Sequence, residues 1–239
     1  MPVLRDWELA LDADKVLWGQ GADPVLVRVR RPKLVAIAEA AIVEGRPFLA
    51  PVVLYRRLPV AELRHERLLL ADGGVLLGPL IATHLAGANE VIVAICTVGD
   101  EVTSVISERF QTDPVGALAL EGVAGAAAEA LAEAVCRRFD ALALAEGLQT
   151  SIPLNPGMIG WPLAEGQAQI FGLLDATEIG VSLDPGTSIM RPLKSLSLVI
   201  GLGRNLNPTG QTCDFCSMRE TCRYKDHYGG PNKADDVSG

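Results

Sequence analysis

Three of the five cysteines in this 239-residue chain fall within one short stretch, TCDFCSMRETC, as Cys213, Cys216 and Cys222. Their spacing is C-x2-C-x5-C. Thiolates spaced in this way can approach one metal centre, so the pattern points to zinc or to an iron–sulfur cluster. It lacks the second C-x2-C or the His pair of common zinc modules. The expected occupant is therefore a 4Fe–4S cluster, with zinc as the alternative. Either needs a fourth ligand. Cys96 ends the apolar run VIVAIC at a Thr-Val-Gly turn, where a strand end could face the cluster, and it is the expected fourth ligand. His227 lies five residues after Cys222 and would make a Cys3His zinc site. Cys136 lies in an Ala-rich stretch beside Arg137 and Arg138 and reads first as a small buried hydrophobe.

Composition narrows what those cysteines are for. At 49% hydrophobic the chain can bury a real core and does not need cysteines to compensate for small size. A net charge of −8 repels a phosphate backbone, so no nucleic-acid partner is expected. The basic run RVRRPK (28–33) reads as a solvated strand or loop. No signal core opens the sequence and no membrane span is expected, which predicts a cytoplasmic protein with reduced thiols.

The elements that must position the cysteines follow from periodicity and punctuation. PKLVAIAEAAIVEGRP predicts a helix from Pro32, stopped at Gly45 and Pro47. FLAPVVLYRRLPV predicts a strand, Asp72-Gly73-Gly74 a hairpin turn, and VIVAIC a buried strand. A long helix is expected from an Asp113 cap through Pro114 to Gly147, Ala-rich and buried. On it Glu129 and Glu133 lie four apart on one face. SIPLNPGMIGWPLAEGQ (151–167) is too rich in Pro and Gly for a regular element and reads as a functional loop. A short helix and a strand with alternating Ser195 and Ser197 follow. Hairpin signals outnumber βαβ units, so the fold class is α+β. There is no P-loop, and GLGRN is a weak dinucleotide signal.

In order along the chain stand the long helix, Pro156-Gly157, Trp161-Pro162-Leu163, Gln167, and then Met190, Pro192, Ser195 and Ser197. This ordered set, over roughly residues 85–203, resembles the activation (reactivation) domain of vitamin B12-dependent methionine synthase, and more closely the stand-alone proteins related to it. The resemblance implies a C-shaped single domain with a twisted antiparallel sheet and a long central helix over 1–204. A cysteine-rich metal-binding segment (205–228) and a disordered tail (229–239) would follow. It implies S-adenosylmethionine lying along the Pro-Gly loop, with Glu129 as its helix ligand and Asn155, Pro156, Gly157 and Met158 lining it. Two positions depart from the family pattern. Pro153 stands where the family carries an Arg, and Met158 where it carries a Tyr. An arginine fork suits a carboxylate and proline cannot replace it, so the methyl donor is less firmly implied than the fold.

The function expected on this footing is that of an accessory to corrinoid-dependent methyl transfer. It would dock on a corrinoid-binding protein or corrinoid-dependent methyltransferase and return the partner's cobalamin to its active state, the iron–sulfur centre passing the electron. The alternatives are a zinc-stapled binding module without redox activity and an S-adenosylmethionine-dependent methyltransferase. No catalytic residue is assigned.

Overall fold

The computed structural model describes residues 1–206 and 210–221. In chain order the elements are β1 (Val3–Leu4), α1 (Ala13–Gly19), α2 (Pro24–Arg30), α3 (Pro32–Gly45), β2 (Val52–Arg64), β3 (Arg67–Leu70), β4 (Val75–Leu77), α4 (Pro79–Leu85), β5 (Glu90–Thr97), α5 (Glu101–Arg109), α6 (Pro114–Ala145), β6 (Gln149–Thr150), α7 (Leu163–Leu173), β7 (Ser182–Leu183), β8 (Met190–Arg191) and β9 (Ser195–Gly203). A 3₁₀ turn, Thr212–Phe215, carries Cys213.

The sheet is antiparallel and curled, in the order β4-β3-β2-β5-β9-β6. β2 is long enough to serve two neighbours on one side: β1 pairs with its beginning and β3 with its end. β5 lies at the centre between β2 and β9. Its continuous apolar run is explained by burial on both faces, because alternate residues enter different cores. Ile92, Ala94 and Cys96 face the layer formed by α1, α3, α5 and α6. Val91, Val93 and Ile95 face the other layer, built from α4, α7, the β3–β4 hairpin and the Pro-Gly loop.

The helix α6 is the spine of the first layer. Asp113 caps it by accepting from the Gly116 amide, and Pro114 occupies its first turn, where a missing N–H costs nothing. By length and composition it could cross a membrane, but most of that apolar stretch is buried within the protein. Its small residues are required by contact. A methyl group on Gly122 would sit 2.6 Å from the Val16 carbonyl oxygen, and one on Gly19 would sit 2.8 Å from the Gly122 carbonyl oxygen. α1 and α6 therefore touch backbone to backbone. At the other end Phe139 is fully buried, its ring 5.1 Å from that of Tyr55 on β2. Burying a side chain of this size contributes roughly 1.5–3 kcal/mol.

One sequence expectation needs correction, and one helix went unforeseen. RVRRPK does not form a strand or loop. Arg28 and Arg30 end the helix α2, which starts with an Asp23 cap accepting from the Val25 and Leu26 amides and with Pro24 in the first turn. The charge run suggested a solvated strand or loop, but the cap and the proline decide locally. The helix α5 was not expected at all. The tail 229–239 lies outside the described residues.

Candidate functional site: the Pro-Gly loop and the cysteine turn

The loop between β6 and α7 begins as an extra partner for β9. The Ser151 amide donates to the Gly201 carbonyl and Leu154 pairs with Val199. Asn155 then donates from Nδ2 to the Ser197 carbonyl at 2.8 Å. Its own amide rests against the Met158 sulfur at 3.1 Å. Gly157 turns the chain with φ +98°, a conformation that disfavours any side chain, and its amide donates to the Trp161 carbonyl at 2.8 Å. Trp161 is fully buried and donates from Nε1 to Gln169. Gly166 of α7 faces Pro156 so closely that a methyl group there would lie 2.8 Å from the proline Cβ.

The signature residues therefore fix one another. Ser197 donates from Oγ to Gln167 at 3.0 Å, and Ser195 donates toward the Pro192 carbonyl at 2.7 Å, with Thr97 Oγ1 at 2.9 Å. All four polar side chains are buried, and a buried polar group without a partner costs about 1–3 kcal/mol. Glu129 is half-buried on α6, in the helical layer, whereas Met158 and Trp161 belong to the opposite core. Glu133, four residues on, is exposed and lies 3.5 Å from Lys15 and 3.7 Å from Arg137.

The cysteine turn docks on this loop. Phe215 accepts the Ile159 amide at its carbonyl, 2.8 Å away, and Cys216 bridges Met158 in antiparallel fashion. The turn is locally well made. Gln211 and Asp214 cap each other, Arg219 pairs with Asp214 at 3.1 Å, and the Cys216 amide folds back to the Cys213 carbonyl. The Phe215 ring meets His84 of α4 edge-on at 4.5 Å. His84 is buried, its Nε2 has no hydrogen-bond partner among the described residues, and burial lowers its pKa. An uncharged ring is what that environment tolerates.

Cys213 and Cys216 are half-exposed thiols sharing one turn. The expectation that Cys96 completes their set is not met by this arrangement. Cys96 points into the helical core, with the sheet between it and the turn, and Cys136 packs in the same core. Burial pushes both thiols up to about 12, helped at Cys136 by the nearby Asp140 and Glu133 and at Cys96 by the neighbouring Cys136 thiol. Both are inert apolar fillers at neutral pH. Cys222 and His227 lie outside the described residues. Among the described residues, no group of three or more His, Cys, Asp or Glu side chains is placed to hold a metal ion.

A pocket of about 450 Å³ opens at the other end of β9, lined by Tyr55, Arg57, Phe139, Glu146 and Leu202 among others. Arg57 on its rim is held by Glu146, at 2.6 and 2.7 Å, and by Glu90. These bonds raise its pKa and lower that of Glu146. The guanidinium is thus already engaged by two carboxylates of the protein itself. Sequence reasoning passed over this cluster, because its members are 33 and 89 residues apart.

The arrangement defines a class: a mixed α+β domain with a curled antiparallel sheet and a long helix beneath it. Among solved structures it is similar to the MetH reactivation domain bound to AdoHcy, with a TM-score of 0.60 and 17% sequence identity, over 86% of this chain and 72% of that one. That likeness is one of fold. No family model matches the sequence. No curated protein matches it either.

Proposed function

We propose that this protein is an accessory to corrinoid-dependent methyl transfer, acting on the cobalamin of a partner protein. The observation that carries the proposal is the fold likeness to a reactivation domain captured with AdoHcy, joined to a Pro-Gly loop held rigid by its own signature residues. In this reading S-adenosylmethionine or its product would lie along Asn155–Met158 and reach Glu129. With Pro153 in place of an arginine, the donor's carboxylate needs another partner, and binding is expected to be weak. The cytoplasm is the compartment that suits the reduced thiols.

Cys213 and Cys216, with Cys222, would hold the metal centre. Two thiols in one turn suit either an iron–sulfur cluster or zinc, and a one-electron centre would supply the reductant that cobalt rescue needs. The fourth ligand is then not Cys96. Anaerobic purification followed by iron, zinc and sulfide analysis decides between the two metals. Brown protein with matching iron and sulfide supports electron transfer. Colourless protein with one zinc per chain rules it out and favours a zinc-stapled binding module, a reading that the backbone docking of the turn already suits. Calorimetry with S-adenosylmethionine tests the loop. No heat at millimolar ligand removes methyl-donor binding, and with it the methyltransferase alternative.

A further inference from the structure

We infer that residues 210–219 act as a strap that sets the conformation of the Pro-Gly loop, so that the state of Cys213 and Cys216 is read out at Gly157–Ile159. Three contacts carry this. The Ile159 amide donates to the Phe215 carbonyl at 2.8 Å, Met158 pairs with Cys216, and the Phe215 ring is seated on His84. The first two join the backbone between and beside the two cysteines directly to the two residues that follow Gly157. Gly157 has positive φ and no side chain of its own to anchor it. The strap therefore contributes an outer wall to a turn whose inner wall is Trp161 and Pro156.

The coupling has a definite sense. Binding of one metal by Cys213 and Cys216 fixes the 3₁₀ turn between them, and that turn presents the Phe215 carbonyl to Ile159. Loading favours the docked strap and a fixed loop. Stripping the thiols loosens the turn and leaves the Ile159 amide to water. By linkage, whatever orders the loop must tighten metal binding by the same factor. The trigger rests on the metal reading proposed above, whereas the coupling rests on these contacts alone.

Hydrogen exchange at single amides separates the two. Ile159 is the reporter, and Val93 in the central strand β5 is the reference for global opening. Phe215→Leu removes the ring seated on His84 and keeps an apolar side chain. Exchange at Ile159 is expected to quicken about tenfold or more with Val93 unchanged. An unchanged Ile159 rate in this variant overturns the strap. Wild-type protein is then compared before and after chelation, with metal content measured on the same samples. If metal is present and its removal leaves Ile159 unaltered, the readout is overturned while the metal reading stands. If no metal is present at any stage, the metal reading and the trigger fall, and the Phe215→Leu result still decides the coupling. Should Phe215→Leu quicken Val93 as well, the two rates are compared within the variant: equal quickening overturns the strap, and a larger factor at Ile159 supports it.

Discussion

Gly166→Ala tests whether the Pro-Gly loop is held by close contact or merely by chain connectivity. An added Cβ would meet Pro156 Cβ at 2.8 Å, Pro156 Cγ at 3.0 Å and Trp161 Cε2 at 3.0 Å. Carbon atoms prefer about 3.5–4.0 Å. Neither neighbour can swing aside, since one is a proline ring and the other a fully buried indole. Overpacking of this kind costs about 1–3 kcal/mol. Against it, alanine in a helix interior gains about 1 kcal/mol over glycine. The net expectation is a loss of roughly 0–2 kcal/mol, about 1–3 kcal/mol below a glycine-to-alanine change that meets no contact. At this chain length each kcal/mol moves Tm by roughly 2–4 °C, so Gly166→Ala should melt about 2–12 °C below such a control. Gly172→Ala supplies the control, being in the same helix with nothing within 4 Å of the added methyl. It gains propensity without contact, and its Tm should hold or rise. Thermal unfolding followed by circular dichroism reads both. A Gly166→Ala protein as stable as Gly172→Ala would refute the packing account of the loop.

Phe139→Ala should cost about 3–5 kcal/mol in urea unfolding with the slope unchanged, because the ring is fully buried beneath Tyr55. Glu146→Gln removes a carboxylate whose pKa is lowered by its bond to Arg57. Such a group stabilises the fold above its unfolded value, about 4.3, and that stability is lost as pH falls through the lower folded value. The Tm difference between wild type and variant should be present at pH 7 and vanish on acidification; a difference that persists at pH 2 would contradict the pairing. Iodoacetamide at pH 8, after chelation, should label Cys213 and Cys216 and spare Cys96. With its thiol pushed up to about 12, the Cys96 thiolate fraction is on the order of one in ten thousand, and its sulfur is buried besides. Peptide mass mapping reads the labelled sites.

Much of the scaffold was legible in single residues. Asp113 and Pro114 announce α6 to within a residue, Asp72-Gly73-Gly74 marks the β3–β4 turn, and Pro32 with Gly45 brackets α3. These are local signals, satisfied by the neighbouring backbone. The side of the sheet to which Cys96 turns was not legible. VIVAIC is apolar at every position because both faces of β5 are covered, so it carries no alternation from which parity could be read. The docking of the cysteine turn was hidden for another reason. It runs through the Ile159 amide and the Phe215 carbonyl, and backbone bonds leave no mark on residue type. α2 went unread because valine and arginine suit an exposed strand as well as a short capped helix.

The sheet has a consequence for the chemistry of sulfur in this protein. Of the four described cysteines, Cys96 and Cys136 lie on one side of it and Cys213 and Cys216 on the other. Among the described residues, an oxidant that reaches the outer pair finds no thiol that would carry the reaction through the sheet to the inner pair. The thiol placed, among the described residues, to resolve a sulfenic acid or mixed disulfide at the turn is its own neighbour there, and otherwise an external thiol must do so. The inner pair can take part in mispairing only before β5 is laid down between β2 and β9. Oxidative damage and reversible thiol chemistry are thus kept in separate compartments of a single small molecule, by a wall of backbone.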